Sequence, residues 1–167
     1  MIQIRSATEA DLPALLDIYN EIILHTAAVW HYEPHTIEMR REWFMQRCAE
    51  GFPVLVAESD NDILGFATYG SFRPWPGYRN TVENSVYVAA SARGRGVGRL
   101  LLNALIAQAR EQGLHAMVAG IDGENEVSIA LHRSCGFEQV AHFKEVGWKF
   151  DRWLDLVFME LLLVKKV

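Results

Sequence analysis

Cysteine is scarce in this sequence: among 167 residues only Cys48 and Cys135 are cysteines, and they form no Cys-x-x-Cys pair. Two isolated thiols exclude a disulfide-stapled scaffold and read as reduced, structural side chains. Long apolar runs are missing as well. Stretches such as Leu161–Val164 fall far short of the roughly 20 residues that cross a bilayer. The opening Met1-Ile2-Gln3-Ile4-Arg5 has no signal-peptide core, so a cytoplasmic protein is expected. Nor is there a surplus of positive charge. Sixteen Lys and Arg against 21 Asp and Glu leave a formal charge of −5, which repels polyanions and argues against nucleic acid or an anionic membrane as partner.

What is present is a globular composition. Half of the residues are hydrophobic and 22% are charged, which excludes a disordered or low-complexity chain. The length suits one domain over residues 1–167, large enough for an interior with a shaped pocket without disulfides or metals.

Periodicity gives the organisation. Ile2 and Ile4 alternate with polar residues as in a short strand, and Thr8 with Asp11 caps a helix whose apolar positions Leu12, Leu15, Leu16, Tyr19, Ile22 and Ile23 recur at threes and fours. His25 to His35 reads as an aromatic loop. Thr36 then caps a second helix, presenting Met39, Trp43 and Phe44 and closed by Gly51. Val54–Glu58 and Ile63–Phe72 flank Asp60-Asn61-Asp62 as a hairpin. Two strand-helix units follow, Thr81–Ala89 with a helix from about Val97 to Gln112, and Leu114–Ile121 with a helix from about Glu126 to Cys135. Phe137–Phe143 and Phe150–Leu163 are the last strands. This order predicts an α/β domain with one mixed, mostly antiparallel sheet and helices on both faces.

The most informative segment is Arg93-Gly94-Arg95-Gly96-Val97-Gly98-Arg99, between a strand and a helix. Glycines let backbone N–H groups turn inward, a helix N-terminus adds partial positive charge, and three arginines add more, so a phosphate or pyrophosphate is expected there. A Walker loop needs Gly-Lys-Ser/Thr, which is absent, and the dinucleotide Gly-x-Gly-x-x-Gly would need glycine where Arg99 stands.

Arg93, Gly96 and Gly98 instead fit Gln/Arg-x-x-Gly-x-Gly/Ala, which resembles the acetyl-CoA loop of the GCN5-related N-acetyltransferase (GNAT) family. Asn125, Ser128, Leu131 and Cys135-Gly136-Phe137 extend the likeness over nearly the whole chain. Arg73-Pro74, Thr81 to Val88, Leu131-His132 and Gly147-Trp148-Lys149-Phe150 with Arg152-Trp153-Leu154-Asp155 resemble the phosphinothricin and methionine sulfoximine acetyltransferase subgroup. The resemblance implies acetyl-CoA as co-substrate. Its pantetheine would pair with the backbone of Val86, Tyr87 and Val88, its pyrophosphate would meet Gly94 to Arg99 beside Arg93, and Asn125 and Ser128 would reach the pantetheine arm. A homodimer is also implied. His132 stands where the family usually has a tyrosine, read as the acid for the departing thiolate.

Acetyl transfer to an amine needs a deprotonated amine, a polarised carbonyl and a proton for the thiolate. Glu83, Ser85 and Tyr87 share one face of a strand and Val82, Asn84, Val86 and Val88 the other. A carboxylate within this apolar strand suits a base with a raised pKa; the plain alternative is an ion pair with Arg73 or Arg79. Tyr87 reads as an acid or as a core aromatic, and His132 as a thiolate or substrate contact or as a satisfied core histidine. Arg73 on the stretch Arg73-Pro74-Trp75-Pro76 suits an acceptor carboxylate, Trp30 or Trp75 could pack its side chain, and Asn84 and Ser85 lie alongside; the aromatic loop could equally be a dimer contact. His31 and His35 straddle Pro34, so no metal is expected. The expected activity is acetyl transfer to a small amino-acid-like amine. The alternatives are a polyamine, an aminoglycoside or a protein N-terminus as acceptor, or a silent acyl-CoA sensor.

Overall fold

A computed structural model describes residues 1–164. The apolar patterning resolves into seven strands and four helices: β1 (Gln3–Ser6), α1 (Leu12–His25), α2 (Ile37–Ala49), β2 (Val54–Ser59), β3 (Asp62–Ser71), β4 (Thr81–Val88), α3 (Val97–Glu111), β5 (Ala116–Asp122), α4 (Glu126–Ser134), β6 (Glu138–Lys149) and β7 (Arg152–Leu162). The sheet runs β1-β2-β3-β4-β5-β7-β6. Only β4 and β5 pair in parallel, with α3 as their crossover; all other neighbours are antiparallel. This is the mixed sheet the sequence implied.

Each face of the sheet carries its own core. On one face the α3 residues Leu101, Leu102, Leu105 and Ile106 pack on Val82, Met117, Ala119, Ile121 and Met159, with Ile129 and Leu131 of α4 against the same cluster. On the other, Leu12, Leu15, Ile18, Tyr19 and Ile22 of α1 and Phe44 of α2 cover Val54, Val56 and Phe66. Burying these side chains contributes roughly 1.5–3 kcal/mol each, which fixes both helical layers on the sheet.

Two expectations need correcting. Met39 does not belong to the buried face of α2 and is 46% exposed. Arg40 is buried in its place, its guanidinium 3.9 Å above the Tyr19 ring and 4.5 Å above the Trp43 ring. A flat, weakly hydrated guanidinium stacks on aromatics and fills a site that a hydropathy pattern reserves for an apolar residue. The strand expected to stop at Phe143 continues to Lys149, because bulges between Gln139 and Ala141 and between Phe143 and Gly147 break its alternation without ending the ladder. Phe150 and Asp151, both with positive φ (52° and 55°), turn the chain into β7.

Candidate active site

The sheet is open along its middle. β4 and β5 pair only at Thr81–Ala116, Val82–Met117 and Glu83–Val118. Beyond Glu83, β4 stays with β3 as far as Val88 while β5 stays with β7 as far as Asp122, so the two strands part. The cleft between them has a volume of about 980 Å³ and is lined by Asn84 to Val88, by Gly94 and Gly96 to Arg99, by Ala119 to Asp122, and by Asn125, Ser128 and His132. The β4 edge facing it therefore offers backbone groups that β5 does not pair, the setting in which an extended ligand adds like a strand.

The glycine loop closes one end. Gly94 and Gly96 have φ of 75° and 80°, and Gly96 is the N-cap of α3. Left-handed backbone at these positions curls the loop that lines the cleft, beside the leading N–H groups of α3, which have no helical carbonyl to bond. Arg95 and Arg99 are exposed there. The Arg93 guanidinium instead reaches across to α1, 3.1 Å from the Glu21 carboxylate. Asn125 caps α4 by accepting from the Ser128 N–H at 3.1 Å. The loop thus offers positive charge and the unpaired strand edge offers backbone groups, which are the features that a pyrophosphate with a long thin arm would need.

Glu83 and Tyr87 lie on the α1 and α2 face of β4. Glu83 is half-buried, and burial pushes its pKa up, opposed by the Arg73 charge. Room for its carboxylate comes from Gly120 on β5: a Cβ there would lie 2.9 Å from Glu83 Oε1. The Tyr87 ring packs against Phe66 at 5.0 Å and edge-on to Tyr19 at 5.4 Å, and burial lifts its hydroxyl to about 12.

His132 approaches from the opposite face, on α4, and is 4% exposed. Its Nδ1 is 2.8 Å from the Ser128 carbonyl oxygen and its Nε2 is 3.1 Å from Asn84 Oδ1. Asn84 Nδ2 in turn donates to the Val118 carbonyl at 3.1 Å, spanning the point where the strands part. Burial holds the His132 pKa below its ordinary value, with the Ser128 carbonyl acting the other way.

The other expected acceptor residues lie outside the cleft lining. Arg73, Pro74 and Trp75 are exposed on the β3–β4 connection, where the Arg73 guanidinium sits 4.1 Å over the Phe72 ring and donates to the Phe72 carbonyl. Trp30 is half-buried: its indole N–H donates to Ala27 and its ring lies over Gly147, where a Cβ would come within 2.8 Å of three ring carbons. Sequence reasoning missed Gly120, Glu21 and Lys149. Gly120 left a signal, a glycine inside an otherwise apolar strand, and Lys149 stood within the Gly147-Trp148-Lys149-Phe150 string without a role being read for it. Among the described residues no three His, Cys, Asp or Glu side chains converge as a metal ion would need, and no helix is long and apolar enough to cross a membrane.

Comparison with known proteins agrees with this geometry. A model of the acetyltransferase (GNAT) domain matches residues 4–158. An L-methionine sulfoximine/L-methionine sulfone acetyltransferase of Pseudomonas aeruginosa is 50% identical over 159 residues, 95% of this chain and 92% of its own. A solved phosphinothricin acetyltransferase of the GNAT superfamily from Sinorhizobium meliloti, in complex with acetyl-CoA, is 35% identical with a TM-score of 0.94, covering 96% of this chain and 88% of its own. A solved ribosomal-protein-alanine N-acetyltransferase from Brucella melitensis is 53% identical with a TM-score of 0.95, covering 96% of this chain and 99% of its own. With the domain match spanning most of its length, the chain belongs to the GNAT family of acetyl-CoA-dependent N-acetyltransferases.

Proposed function

We propose that the acceptor is a small amino-acid-like amine of the methionine sulfoximine, methionine sulfone or phosphinothricin type, acetylated directly at its amino group. The observation that carries this reading is the neighbourhood of Glu83 and Arg73. Glu83 is a half-buried carboxylate paired across the ladder with Gly70, three residues before Arg73, whose charge opposes the burial that raises the carboxyl pKa. An acceptor whose carboxylate meets the Arg73 guanidinium would bring its amine toward Glu83. The kinship with methionine sulfoximine and phosphinothricin acetyltransferases supports the same class.

In this reading the glycine loop from Gly94 to Arg99 holds the pyrophosphate, with Arg93 beside it. Val86, Tyr87 and Val88 pair with the pantetheine through their backbone, and Asn125 and Ser128 flank that arm. Acetyl-CoA supplies an activated acetyl group whose carbonyl is attacked by the neutral amine. Glu83 takes the ammonium proton, directly or through water, and His132 serves the thiolate side. Arg73, stiffened by Pro74, binds the acceptor carboxylate; Trp75, Trp30, Asn84 and Ser85 border the acceptor. A Tyr87 hydroxyl at about 12 is a poor match to neutral pH for shuttling protons, so its part is backbone pairing and packing.

Residues 1–167 act as one domain in a cytoplasmic homodimer. The two free thiols, of which Cys48 is exposed, suit a reducing compartment. The exposed aromatics Tyr32, Trp148 and Trp153 supply a surface for a second copy.

The deciding measurement is release of CoA thiol from acetyl-CoA with a panel of amines. Methionine sulfoximine and phosphinothricin should be turned over well, and the decarboxylated analogue of methionine sulfoximine poorly. Equal rates with and without the carboxylate would remove Arg73 from acceptor binding. Preference for a ribosomal-protein alanine, the acceptor in the Brucella protein's name, would replace the small-molecule reading.

A further inference from the structure

We infer that Ser128, backed by His132 and Asn84, forms a proton relay that ends at the departing sulfur, with the Ser128 hydroxyl as the group that touches it. His132 alone is badly placed for that task. Its side chain is 4% exposed and both ring nitrogens face protein acceptors, the Ser128 carbonyl at 2.8 Å and Asn84 Oδ1 at 3.1 Å. The Asn84 amide cannot turn its nitrogen to the ring, because Nδ2 is committed to the Val118 carbonyl at 3.1 Å. The ring thus bonds on both sides only when it carries two protons, and burial works against that charge. A proton held under such opposing demands is easily given up.

The exit for that proton is the Ser128 hydroxyl, 3.4 Å from His132 Nδ1. Ser128 is half-buried and lines the cleft, whereas the backbone cap of α4 uses its N–H and leaves the hydroxyl uncommitted to the helix end. Position favours it too. The anion loop follows the C-terminal end of β4, so the thioester of a molecule threaded along the cleft lies toward the apex, where Asn84 begins the split. Four strand residues from Val88 to Asn84 span about 13 Å, the reach of an extended arm.

The C–N bond forms and the C–S bond breaks, and sulfur keeps the bonding pair. Ser128 Oγ–H gives its proton to that sulfur and takes the Nδ1 proton of His132. The ring, cationic while it carries both protons, becomes neutral, with its remaining proton on Nε2 held by Asn84 Oδ1. Water returns one proton to Nδ1 before the next cycle, and the proton lost by the amine leaves on the Glu83 side.

The relay rests on acetyl transfer in this cleft and not on the identity of the acceptor. Its test compares Ser128→Ala, His132→Gln and the double variant, each checked by circular dichroism, for kcat of CoA release and for acetyl-CoA affinity by calorimetry. The relay requires Ser128→Ala to lower kcat by about 100-fold, the lower range for a positioned proton donor, with the dissociation constant of acetyl-CoA within about twofold of the parent. The double variant should fall no further than the slower single one, since the two residues act as a unit. Ser128→Thr, which keeps the hydroxyl, should recover most of the loss. A kcat for Ser128→Ala within threefold of the parent, a loss confined to acetyl-CoA affinity, or losses that multiply in the double variant would each overturn the relay. If the parent rejects methionine sulfoximine but acetylates another amine, the acceptor reading fails and the relay is measured with that amine.

Discussion

The ammonium of Lys149, at the end of β6, lies 2.6 Å from the carbonyl oxygen of Ile23 in the last turns of α1. It donates equally to Thr26 at 2.8 Å and Val29 at 2.6 Å, and its side chain is 3% exposed. One buried cation thus gathers the carbonyls at which α1 unwinds, a favourable place for positive charge at a helix C-terminus. Tyr32 adds a bond from its hydroxyl to the Trp148 carbonyl at 2.6 Å. Thr26 and Ala28 line the cleft, so this clasp fixes one of its walls.

Lys149→Met should therefore destabilise the protein. It leaves three carbonyls without their donor, those of Ile23 and Val29 buried and that of Thr26 half-buried, at about 1–3 kcal/mol for each unsatisfied buried group, partly offset by no longer burying a charge. A net loss of about 2 kcal/mol or more is expected, read as a lower urea midpoint with an unchanged slope. A midpoint equal to the parent's would reduce the clasp to a crowded contact.

Replacing Gly96 tests the anion loop. A Cβ there would meet no protein atom within 4 Å, but the φ of 80° strains any L side chain, by about 1–2 kcal/mol. Gly96→Val should remain folded while its branched side chain blocks close approach of the pyrophosphate, weakening acetyl-CoA binding by at least about 10-fold. Calorimetry giving an unchanged dissociation constant, with native circular dichroism, would move the phosphate site elsewhere.

The difference between what the sequence told and what it hid follows from the range of each interaction. The faces of β4 were legible because strand periodicity alone puts Glu83, Ser85 and Tyr87 on one side and Asn84 on the other. The anion loop was legible because its glycines, its arginines and the start of α3 are contiguous. Lys149 was not, since its carbonyl partner Ile23 is 126 residues away and lysine in a hairpin looks like surface. Arg40 was hidden because aromatic stacking, invisible to hydropathy, makes its burial tolerable. The split between β4 and β5 depends on where two distant strands stop pairing, and no local pattern marks Val118 as the last rung.

Gly120→Ala probes the space that Glu83 occupies. The added methyl would sit 2.9 Å from Glu83 Oε1 and 3.4 Å from Phe158 Cε1, so the carboxylate must swing aside. Acetyl-CoA affinity should hold while kcat/KM for the acceptor falls roughly 10- to 100-fold, the usual penalty for a displaced catalytic group. Parent-like kinetics would show that the Glu83 position is not critical.

Glu83→Gln separates the chemical role of that carboxylate from its shape. A base works only when deprotonated, so kcat/KM of the parent should rise with pH through the Glu83 pKa; burial raises that pKa, which puts the acidic limb above the ordinary carboxylate range near 4.3. Glutamine cannot titrate, so the variant should lose that limb, with a rate about 10²-fold to 10⁴-fold lower across the plateau. Four strand residues, about 13 Å, separate Glu83 from Tyr87. In the proposed mechanism Glu83 would therefore serve the amine from the acceptor face, opposite the paired Asn84 and His132. Acetyl-CoA affinity should accordingly be untouched. A variant that keeps both the parent's rate and its acidic limb would return Glu83 to binding or packing and leave the ammonium proton to solvent.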